Sequence, residues 1–453
     1  MSIKGYHKDK FKKQLKEYLS ASGPIRSIEH LFGREKEMAL IDEALSAEGR
    51  NVFIYGDRGV GKSSLAAAAA SQYQSADNEY IQIGCGPDTE FYKTIEDLAD
   101  RVIKKASGQR NYDVTQALDV KFYSVKWNKR EENVVIPKVN SIYTAVEAIV
   151  EVVKFHSEAP IIIIDEFDQI ESEKERKLFA TYLKSLGDRG VNIKFIITGV
   201  AQSLKQLLAD HGSGFRQLDT INLERLYWGP RETIVTAAIK SFNLTIEHEV
   251  VHTIAKISNG FPYFVHLLTE KVLWSTFNDE HEINHIDADL FNIALEKAIS
   301  SIGAHLQTPY DAATLHRTND YREILWATAD SESTIRYIDG MFKSYLRIHK
   351  KLYGINPKAE SRPLSKKSFS ARLGNLKKEQ YGTVLENVAD KKGLYSYREN
   401  ILRGFVAMKA LGLGIELQGD VPDEPKPIAM AKETRQSYVG KDYTPKIKFR
   451  GEK

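Results

Sequence analysis

Short apolar runs and amphipathic stretches alternate along the first half of the chain. Residues 52–55 are apolar, β-branched or aromatic and precede Gly56, which is typical of a buried parallel strand. Similar runs predict further strands at residues 80–84, 161–165, 193–199 and 220–223. Amphipathic stretches predict helices at residues 63–71, 90–106 and 173–186. Because strands that alternate with helices form parallel sheets, the pattern predicts an α/β core.

The pattern changes after the second predicted strand and again after Leu226. Residues 119–139 mix aromatic side chains with charges, and we expect a hairpin-like insertion there, followed by a helix at residues 143–153. After Leu226 the predicted strands stop, and amphipathic helices are predicted at residues 230–242, 248–257, 262–273 and 288–300. Four successive helices after an α/β core predict a helical lid.

A third unit is predicted near the C-terminus. Its helices are expected near residues 321–328, 338–352 and 366–378, with a hairpin over 383–399. Beyond Gly414, prolines stand among charges and predict a loosely ordered tail. The predicted units are a basic arm (1–24), an α/β core (25–226), a lid (227–301), a C-terminal unit (302–413) and a tail (414–453).

Composition narrows the class of protein. A chain of 453 residues predicts about two to four domains, and 42% hydrophobic with 28% charged residues excludes wholesale disorder. Its apolar runs fall short of the roughly 18–20 residues of a membrane span, so no membrane partner is expected. The N-terminus has no apolar leader pattern. A single cysteine, Cys85, excludes an intrachain disulfide framework and favours a reducing compartment, so we expect a cytoplasmic protein.

Charge is distributed unevenly. The net charge is +3, but residues 342–413 hold 16 basic and 5 acidic side chains, a net of +11 that leaves −8 for the rest. The near-neutral total therefore hides a basic C-terminal unit. Residues 8–16 are also basic, with Phe11, Leu15 and Leu19 interleaved, and a solvated surface helix is expected there.

A glycine-rich loop carries the firmest chemical signal. Residues 56–63 match the motif G-x-x-x-x-G-K-[ST]. They lie between a predicted strand and a predicted helix, as a phosphate-binding loop (P-loop) requires. Its backbone N–H groups surround phosphates, Lys62 reaches the β- and γ-phosphates, and Ser63 binds Mg²⁺. We expect ATP and Mg²⁺ rather than a plain glycine-rich turn. The predicted contacts are Gly56, Asp57, Arg58, Gly59, Val60, Gly61, Lys62, Ser63 and Ser64.

Two adjacent carboxylates end the predicted strand at residues 161–165. Asp165 and Glu166 lie where the strands of a parallel sheet meet the phosphate loop. Asp165 suits a metal contact through water, and Glu166 suits the general base that polarises the attacking water. Capping of the next turn is the simpler alternative, but the phosphate loop favours hydrolysis. Asp168 is left without a role.

At these residues the chain resembles the AAA+ and STAND group of P-loop ATPases, and within it the branch of origin-recognition initiators and similar small ATPases. The resemblance covers roughly residues 25–300. Leu31-Phe32-Gly33-Arg34-Glu35 is similar to the segment before the first helix of this group, which implies that Phe32, Gly33 and Arg34 lie near adenine. Gly260-Phe261-Pro262-Tyr263 is similar to the group's G-x-P element, which implies that Pro262 packs on adenine.

The resemblance also implies sensing residues and assembly. Thr198 stands where sensor 1 contacts the γ-phosphate or the attacking water, and Arg216 stands where such ATPases place an arginine finger. A finger acting on a neighbouring subunit implies a homo-oligomer, whereas a solvated arginine is the alternative. The chain departs from the initiators because no sensor 2 arginine can be assigned. The corresponding stretch, residues 263–268, offers only His266, which we interpret as a structural histidine. The missing arginine favours slow turnover or a nucleotide-state switch.

The basic C-terminal unit resembles a winged helix-turn-helix. The predicted helix 366–378 buries Phe369, Leu373 and Leu376, and a cationic tip at residues 390–393 suits phosphate contacts. Winged helices also bind proteins, so that alternative stays open. The predicted contacts to double-stranded DNA are Lys366, Lys367, Arg372, Asn375, Lys391 and Lys392.

The sequence therefore predicts an α/β fold with a parallel-sheet P-loop AAA+ core, an α-helical lid and a C-terminal winged helix-turn-helix. The leading hypothesis is an ATPase that oligomerises with nucleotide and binds DNA to regulate an assembly. A STAND-like signalling or defence switch that recognises an unidentified protein partner is the alternative. The third hypothesis is a scaffold that is stabilised by nucleotide and has negligible ATP turnover.

Overall fold

The structure is a computed structural model, and it describes residues 3, 6–20, 28–73, 80–106, 112–116, 122–127, 133–154, 159–201, 204, 217–331, 333–354, 362–388 and 391–417. The strands are β1 Asn51–Tyr55, β2 Ile81–Gly84, β3 Tyr112–Gln116, β4 Phe122–Trp127, β5 Asn133–Pro137, β6 Ile161–Asp165, β7 Lys194–Gly199, β8 Leu218–Asn222, β9 Thr245–Ile246, β10 His285–Ile286, β11 Ile335–Tyr337, β12 Leu385–Asn387 and β13 Leu394–Tyr397.

The helices follow the same numbering in chain order. They are α1 Lys8–Tyr18, α2 Glu35–Ser46, α3 Lys62–Tyr73, α4 Phe91–Ala106, α5 Ile142–Val153, α6 Glu173–Asp188, α7 Trp228–Ser241, α8 His248–Ile257, α9 Pro262–Asn278, α10 Ala288–Ser301, α11 Ala304–Thr314, α12 Asn319–Ala329, α13 Ile338–Tyr353, α14 Lys366–Asn375 and α15 Leu402–Leu411.

A parallel sheet in the order β2-β6-β7-β1-β8 forms the core, which confirms the predicted α/β fold. Successive residues of β6 alternate between two apolar layers. Ile161 and Ile163 face the layer that contains α2 and α3, whereas Ile162 and Ile164 face the layer of α4, α5 and α6. Burial on both faces explains the uninterrupted isoleucine run.

The insertion has one strand more than the sequence predicted. β3, β4 and β5 form an antiparallel sheet in that order, with Val125 paired to Val114 on one side and to Val134 on the other. The predicted hairpin corresponds to β4 and β5. The added strand, β3, lies before residue 119, where the polar sequence YDVTQ has no apolar run to mark a strand.

The lid contains the four predicted helices, α7 to α10. The expectation that strands stop after Leu226 is wrong in one detail, because the short strands β9 and β10 pair in parallel. Helix α1 packs on the lid: the ring of Phe11 lies 5.3 Å from Phe242, 4.8 Å from Trp274 and 4.3 Å from Phe277. The lysines of α1 remain exposed, as expected for a surface helix.

The C-terminal unit has the chain order α12, β11, α13, α14, β12, β13 and α15, and its antiparallel sheet has the order β11-β13-β12. The three expected helices and the hairpin are present. Helices α11 and α15 were not predicted. A proline, Pro309, interrupts the helical pattern of α11, and α15 is buried on nearly every side, so it has no amphipathic period.

The start of the predicted tail is packed. Ile415 and Leu417 are buried, and the Lys256 ammonium lies 2.6 Å from the Glu416 carboxylate. The prediction of a loose tail is therefore wrong for residues 414–417, and the remainder lies outside the described residues. Among the described helices, none combines the length and apolar character that a bilayer span requires.

Candidate functional site

The P-loop connects β1 to α3, and its path depends on glycine. A Cβ atom on Gly56 would lie 2.2 Å from the carbonyl oxygen of Leu223. Gly59 and Gly61 have φ angles of 78° and 97°, in the left-handed region that glycine tolerates. Helix α3 begins at Lys62, so the loop leads directly into a helix N-terminus, where backbone N–H groups favour an anion.

Lys62 is held inside this loop. Its ammonium donates to the carbonyl oxygens of Gly56 at 3.0 Å and Asp57 at 2.8 Å. Burial lowers the pKa of Lys62, and the nearby carboxylates of Asp168, Asp57 and Asp165 oppose that shift. The cation is thus half-buried in the loop, where a phosphate can replace its carbonyl contacts.

Asp165 is the centre of a hydrogen-bond network at the end of β6. It is 8% exposed, and Ser63 Oγ donates to its Oδ1 at 2.8 Å. Gln82 Nε2 donates to Oδ2 at 3.0 Å, and the buried Thr198 hydroxyl donates to Oδ1. β6 and β7 are neighbours in the sheet, so parallel pairing brings Asp165 and Thr198 together.

Glu166 has a special backbone conformation. Its φ of 57° and ψ of 43° are left-handed, which is uncommon for a residue with a side chain and recurs at functional sites. Its N–H donates to Thr198 Oγ1 at 3.0 Å, so one threonine hydroxyl fixes both acidic residues. The Glu166 side chain is exposed and lines the cavity described below, where it can reach a water molecule.

The donors present fit a magnesium ion. Mg²⁺ usually takes one or two protein oxygens and completes its octahedron with phosphate and water. The Ser63 hydroxyl and the Asp165 carboxylate supply such oxygens within 2.8 Å of each other. No cluster of three His, Cys, Asp or Glu side chains suited to a metal occurs in the described parts of the chain. The residues therefore suit a metal that arrives with a nucleotide.

A cavity of about 670 Å³ opens above the loop. The core, the lid and the C-terminal unit all contribute to its walls. Of the residues expected at adenine, Phe32, Arg34 and Pro262 line it, whereas Gly33 packs against the lid, where a Cβ atom would lie 2.4 Å from Pro230. Further lining residues include Arg58 to Ser64, Asp165, Glu166, Asp168, Thr198, Tyr263, His266, Glu399 and Ile401.

Arg34 braces the loop. Its Nη2 donates to the carbonyl oxygens of Val60 at 2.9 Å and Glu224 at 2.8 Å, and its side chain is buried. Burial lowers the pKa of this guanidinium, although Glu37 and other acidic neighbours oppose the shift. The structure thus adds a loop-bracing role for Arg34 to the predicted one near adenine.

Three residues of the C-terminal unit contact the P-loop, and sequence reasoning missed all of them. Glu399 Oε1 lies 3.3 Å from Arg58 Nη1, and Asn400 Nδ2 donates to Asp57 Oδ2 at 2.9 Å. Ile401 closes over Gly59, where an added Cβ would meet its Cδ1 at 2.4 Å. We call residues 399–401 the contact segment. Because it lies more than 300 residues from the loop, no local motif marks it.

The residues predicted to contact DNA divide into two sets. Lys366, Lys367, Lys391 and Lys392 are exposed, although Lys366 also pairs with Asp339. Arg372 and Asn375 instead face α12: Arg372 lies 3.4 Å from Asp320, and Asn375 Nδ2 donates to the Tyr321 hydroxyl at 2.8 Å. These two attach α14 to its own unit. The predicted arginine finger, Arg216, lies outside the described residues.

A family model described as the AAA ATPase domain matches residues 30–197. The resemblance to AAA+ P-loop ATPases is therefore confirmed for this domain. A search of curated proteins found no match.

Several solved structures are similar to this chain. The Walker-type ATPase PABY2304 of Pyrococcus abyssi is 17% identical, with a TM-score of 0.50 over 85% of this chain and 98% of that chain. Cdc6p from Pyrobaculum aerophilum is 12% identical, with a TM-score of 0.45 over 87% and 97%. Orc1 of Aeropyrum pernix, solved in complex with DNA, is 12% identical, with a TM-score of 0.43 over 89% and 97%. At such low identity the first match shows a shared fold alone.

Proposed function

We propose that this AAA ATPase domain binds and hydrolyses ATP with Mg²⁺, that the protein assembles into homo-oligomers with nucleotide, and that its C-terminal unit binds double-stranded DNA. The observation that carries the proposal is the contact segment, which joins a basic unit directly to a phosphate-binding loop. Hydrolysis then changes the state of a DNA-associated assembly. The single cysteine favours a cytoplasmic setting for this activity.

The residues of the site have distinct tasks in this proposal. Lys62 and the loop N–H groups bind the phosphates, and Ser63 with Asp165 holds Mg²⁺, which supplies charge neutralisation when bound. Glu166 accepts a proton from the attacking water, and Thr198 fixes the position of Glu166 through its backbone N–H. Thr198 also lines the cavity, which supports the predicted sensor role.

The order of elements in the C-terminal unit supports a winged helix. Three helices, a three-stranded antiparallel sheet and a lysine-bearing connection between β12 and β13 occur in the order that such a module requires. Lys391 and Lys392 lie on that connection and are exposed, as a contact to DNA phosphates needs. The local net charge of +11 adds a long-range attraction to DNA.

Assembly is supported by the sequence. The resemblance implies that Arg216 acts on a neighbouring site, which makes hydrolysis depend on contact between subunits. Arginine fingers contribute on the order of 10³ to 10⁵ in rate. A protein whose finger acts between subunits is therefore a weak ATPase when alone.

A STAND-like switch with a protein partner is the second candidate function. Two apolar side chains on the edge strand β11, Ile335 at 46% and Tyr337 at 62%, are exposed. Exposed apolar side chains on a strand edge suit a protein contact. The absence of an assignable sensor 2 arginine favours slow turnover, which also suits a switch.

DNA binding by the C-terminal unit can be tested through its dependence on salt concentration. Replacing both Lys391 and Lys392 by alanine should lower affinity for a duplex by about tenfold at low salt and reduce the slope of log affinity against log salt by about 2. Fluorescence anisotropy with a labelled duplex, measured with and without ATP, gives both quantities. Lys12→Ala with Lys13→Ala in α1 is the matched control, since it removes two exposed lysines from another unit. An unchanged slope would count against DNA binding by the wing.

The contact segment has its own prediction. Glu399→Gln removes a carboxylate from the cavity and leaves Asp168, 3.7 Å away, as the remaining acidic partner of Arg58, so affinity for ATP should rise about three- to tenfold. The gain is modest because both side chains are about half exposed. Titration with a fluorescent ATP analogue measures it, and Glu379→Gln, an exposed glutamate of the same unit, is the control. Equal or weaker binding by Glu399→Gln would show that the carboxylate does not compete with phosphate.

A further inference from the structure

Gln82 lies beside Asp165 in the core sheet. Its strand, β2, is at one edge of the sheet and pairs with β6 in a parallel register that places Gln82 next to Ile163 and Gly84 next to Asp165. Neighbouring residues of paired strands project from the same face, so Gln82 and Asp165 share the face that is covered by α3. Gly84 has no side chain, and an added Cβ atom there would meet no atom within 4 Å. The space beside Asp165 is therefore left to Gln82.

The Asp165 carboxylate accepts hydrogen bonds from α3, β7 and β2. Ser63 and Thr198 donate to Oδ1, and Gln82 Nε2 donates to Oδ2 at 3.0 Å. Ser63 is also a proposed ligand of Mg²⁺, and Thr198 also accepts the N–H of Glu166. Bonds at Oδ1 alone would leave the plane of the carboxylate free to turn about that atom. The bond from Gln82 to the other oxygen fixes this plane.

Gln82 does not face the nucleotide cavity. Its side chain is half-buried, and it is not among the described residues that line the cavity. Any effect of Gln82 on a bound metal is therefore transmitted through Asp165. The simpler alternative is a polar residue of an edge strand whose hydrogen bond stabilises the fold and nothing else.

We propose that Gln82 is the positioning residue of Asp165: its amide fixes the carboxylate plane so that Oδ1 faces Ser63 and the Mg²⁺ that arrives with ATP. The inference rests on the proposed nucleotide and metal site and adds to it a residue from another strand. Partners that orient a metal ligand typically contribute about 10- to 100-fold in metal affinity. Loss of the Gln82 amide should therefore weaken binding of the metal and leave binding of metal-free ATP unchanged.

The test variant is Gln82→Met, which keeps the length of the side chain and removes the donor. Two affinities are measured. Titration in EDTA gives the affinity for a fluorescent ATP analogue, which should equal that of the wild type. Electron paramagnetic resonance gives the affinity for Mn²⁺ in the presence of ADP, which should fall by about tenfold.

Gln217→Met is the matched control, because Gln217 Nε2 also donates to an aspartate, Asp188, and neither residue lines the cavity. It should change neither affinity. If Gln82 has a purely structural role, Gln82→Met lowers the thermal midpoint and leaves Mn²⁺ affinity unchanged, and that result would overturn the inference. If the wild type itself binds no Mn²⁺ with nucleotide, the proposed metal site fails, and the inference fails with it.

A double-mutant cycle shows whether Gln82 acts through Asp165. Asp165→Asn alone should weaken Mn²⁺ binding more than Gln82→Met does. In the Asp165→Asn background, Gln82→Met should weaken Mn²⁺ binding by less than about twofold further, because the carboxylate that Gln82 orients is gone. Full additivity of the two changes would show that Gln82 affects the metal by another route and would contradict the positioning role.

Discussion

Glu166→Gln should lower kcat for ATP hydrolysis by about 10²- to 10⁴-fold and leave ATP affinity nearly unchanged. The amide has almost the same shape as the carboxylate but cannot accept a proton from water. Glu166 is exposed to the cavity, and its backbone is fixed by the hydrogen bond to Thr198, so the substitution leaves the hydrogen bonds around Asp165 in place. Steady-state phosphate release gives kcat, and equilibrium titration gives affinity.

The matched control for this change is Glu171→Gln. Glu171 is an exposed glutamate five positions along the chain, and it is not among the residues that line the cavity. Its substitution should change neither quantity. If Glu166→Gln turned over ATP at the wild-type rate, another group would have to be the base. Asp168, which lines the cavity and lies 3.7 Å from Arg58, would be the next residue to test.

Lys62→Met should weaken ATP binding by about 10²-fold or more. Methionine keeps most of the aliphatic length and loses the half-buried cation that is proposed to contact the phosphates. A charge-assisted hydrogen bond in a partly dehydrated site contributes more than one at the surface. The apo protein should fold normally, because the hydrogen bonds of the Lys62 ammonium within the described part of the chain are to two loop carbonyl oxygens.

A thermal shift measures this loss directly. Ligand present at 100 times its Kd stabilises a folded protein by about 2.7 kcal/mol, so wild-type protein with saturating ATP should melt at a higher temperature. Lys62→Met should show no such shift at the same ATP concentration. Lys93→Met, at an exposed position of α4, should behave as wild type. A full shift in Lys62→Met would exclude Lys62 as a main phosphate ligand.

The core of this site could be predicted because its signals are local. Glycine spacing, a strand before it and a helix after it specify the P-loop within a dozen residues. A parallel sheet then brings the ends of neighbouring strands to one edge, so the positions of Asp165 and Thr198 follow from topology. The isoleucine run of β6 was readable because the strand is buried on both faces.

The remaining features depend on contacts between distant segments. Helix α15 is buried against both the lid and its own unit. Its sequence therefore has no polar face, and no helical period of apolar residues predicts the helix. Arg372 and Asn375 look like exposed polar residues in a helical projection, but packing on α12 engages both.

The contact segment limits which C-terminal units can be combined with this ATPase core. A P-loop motif leaves four positions unspecified, and two of them here, Asp57 and Arg58, are engaged by Asn400 and Glu399. Gly59, a third, is covered by Ile401. We therefore expect substitutions on one side to be tolerated best when the facing residue changes with them. A C-terminal unit transplanted from a related ATPase would seat on this core only if it brought a complementary acid, amide and apolar side chain.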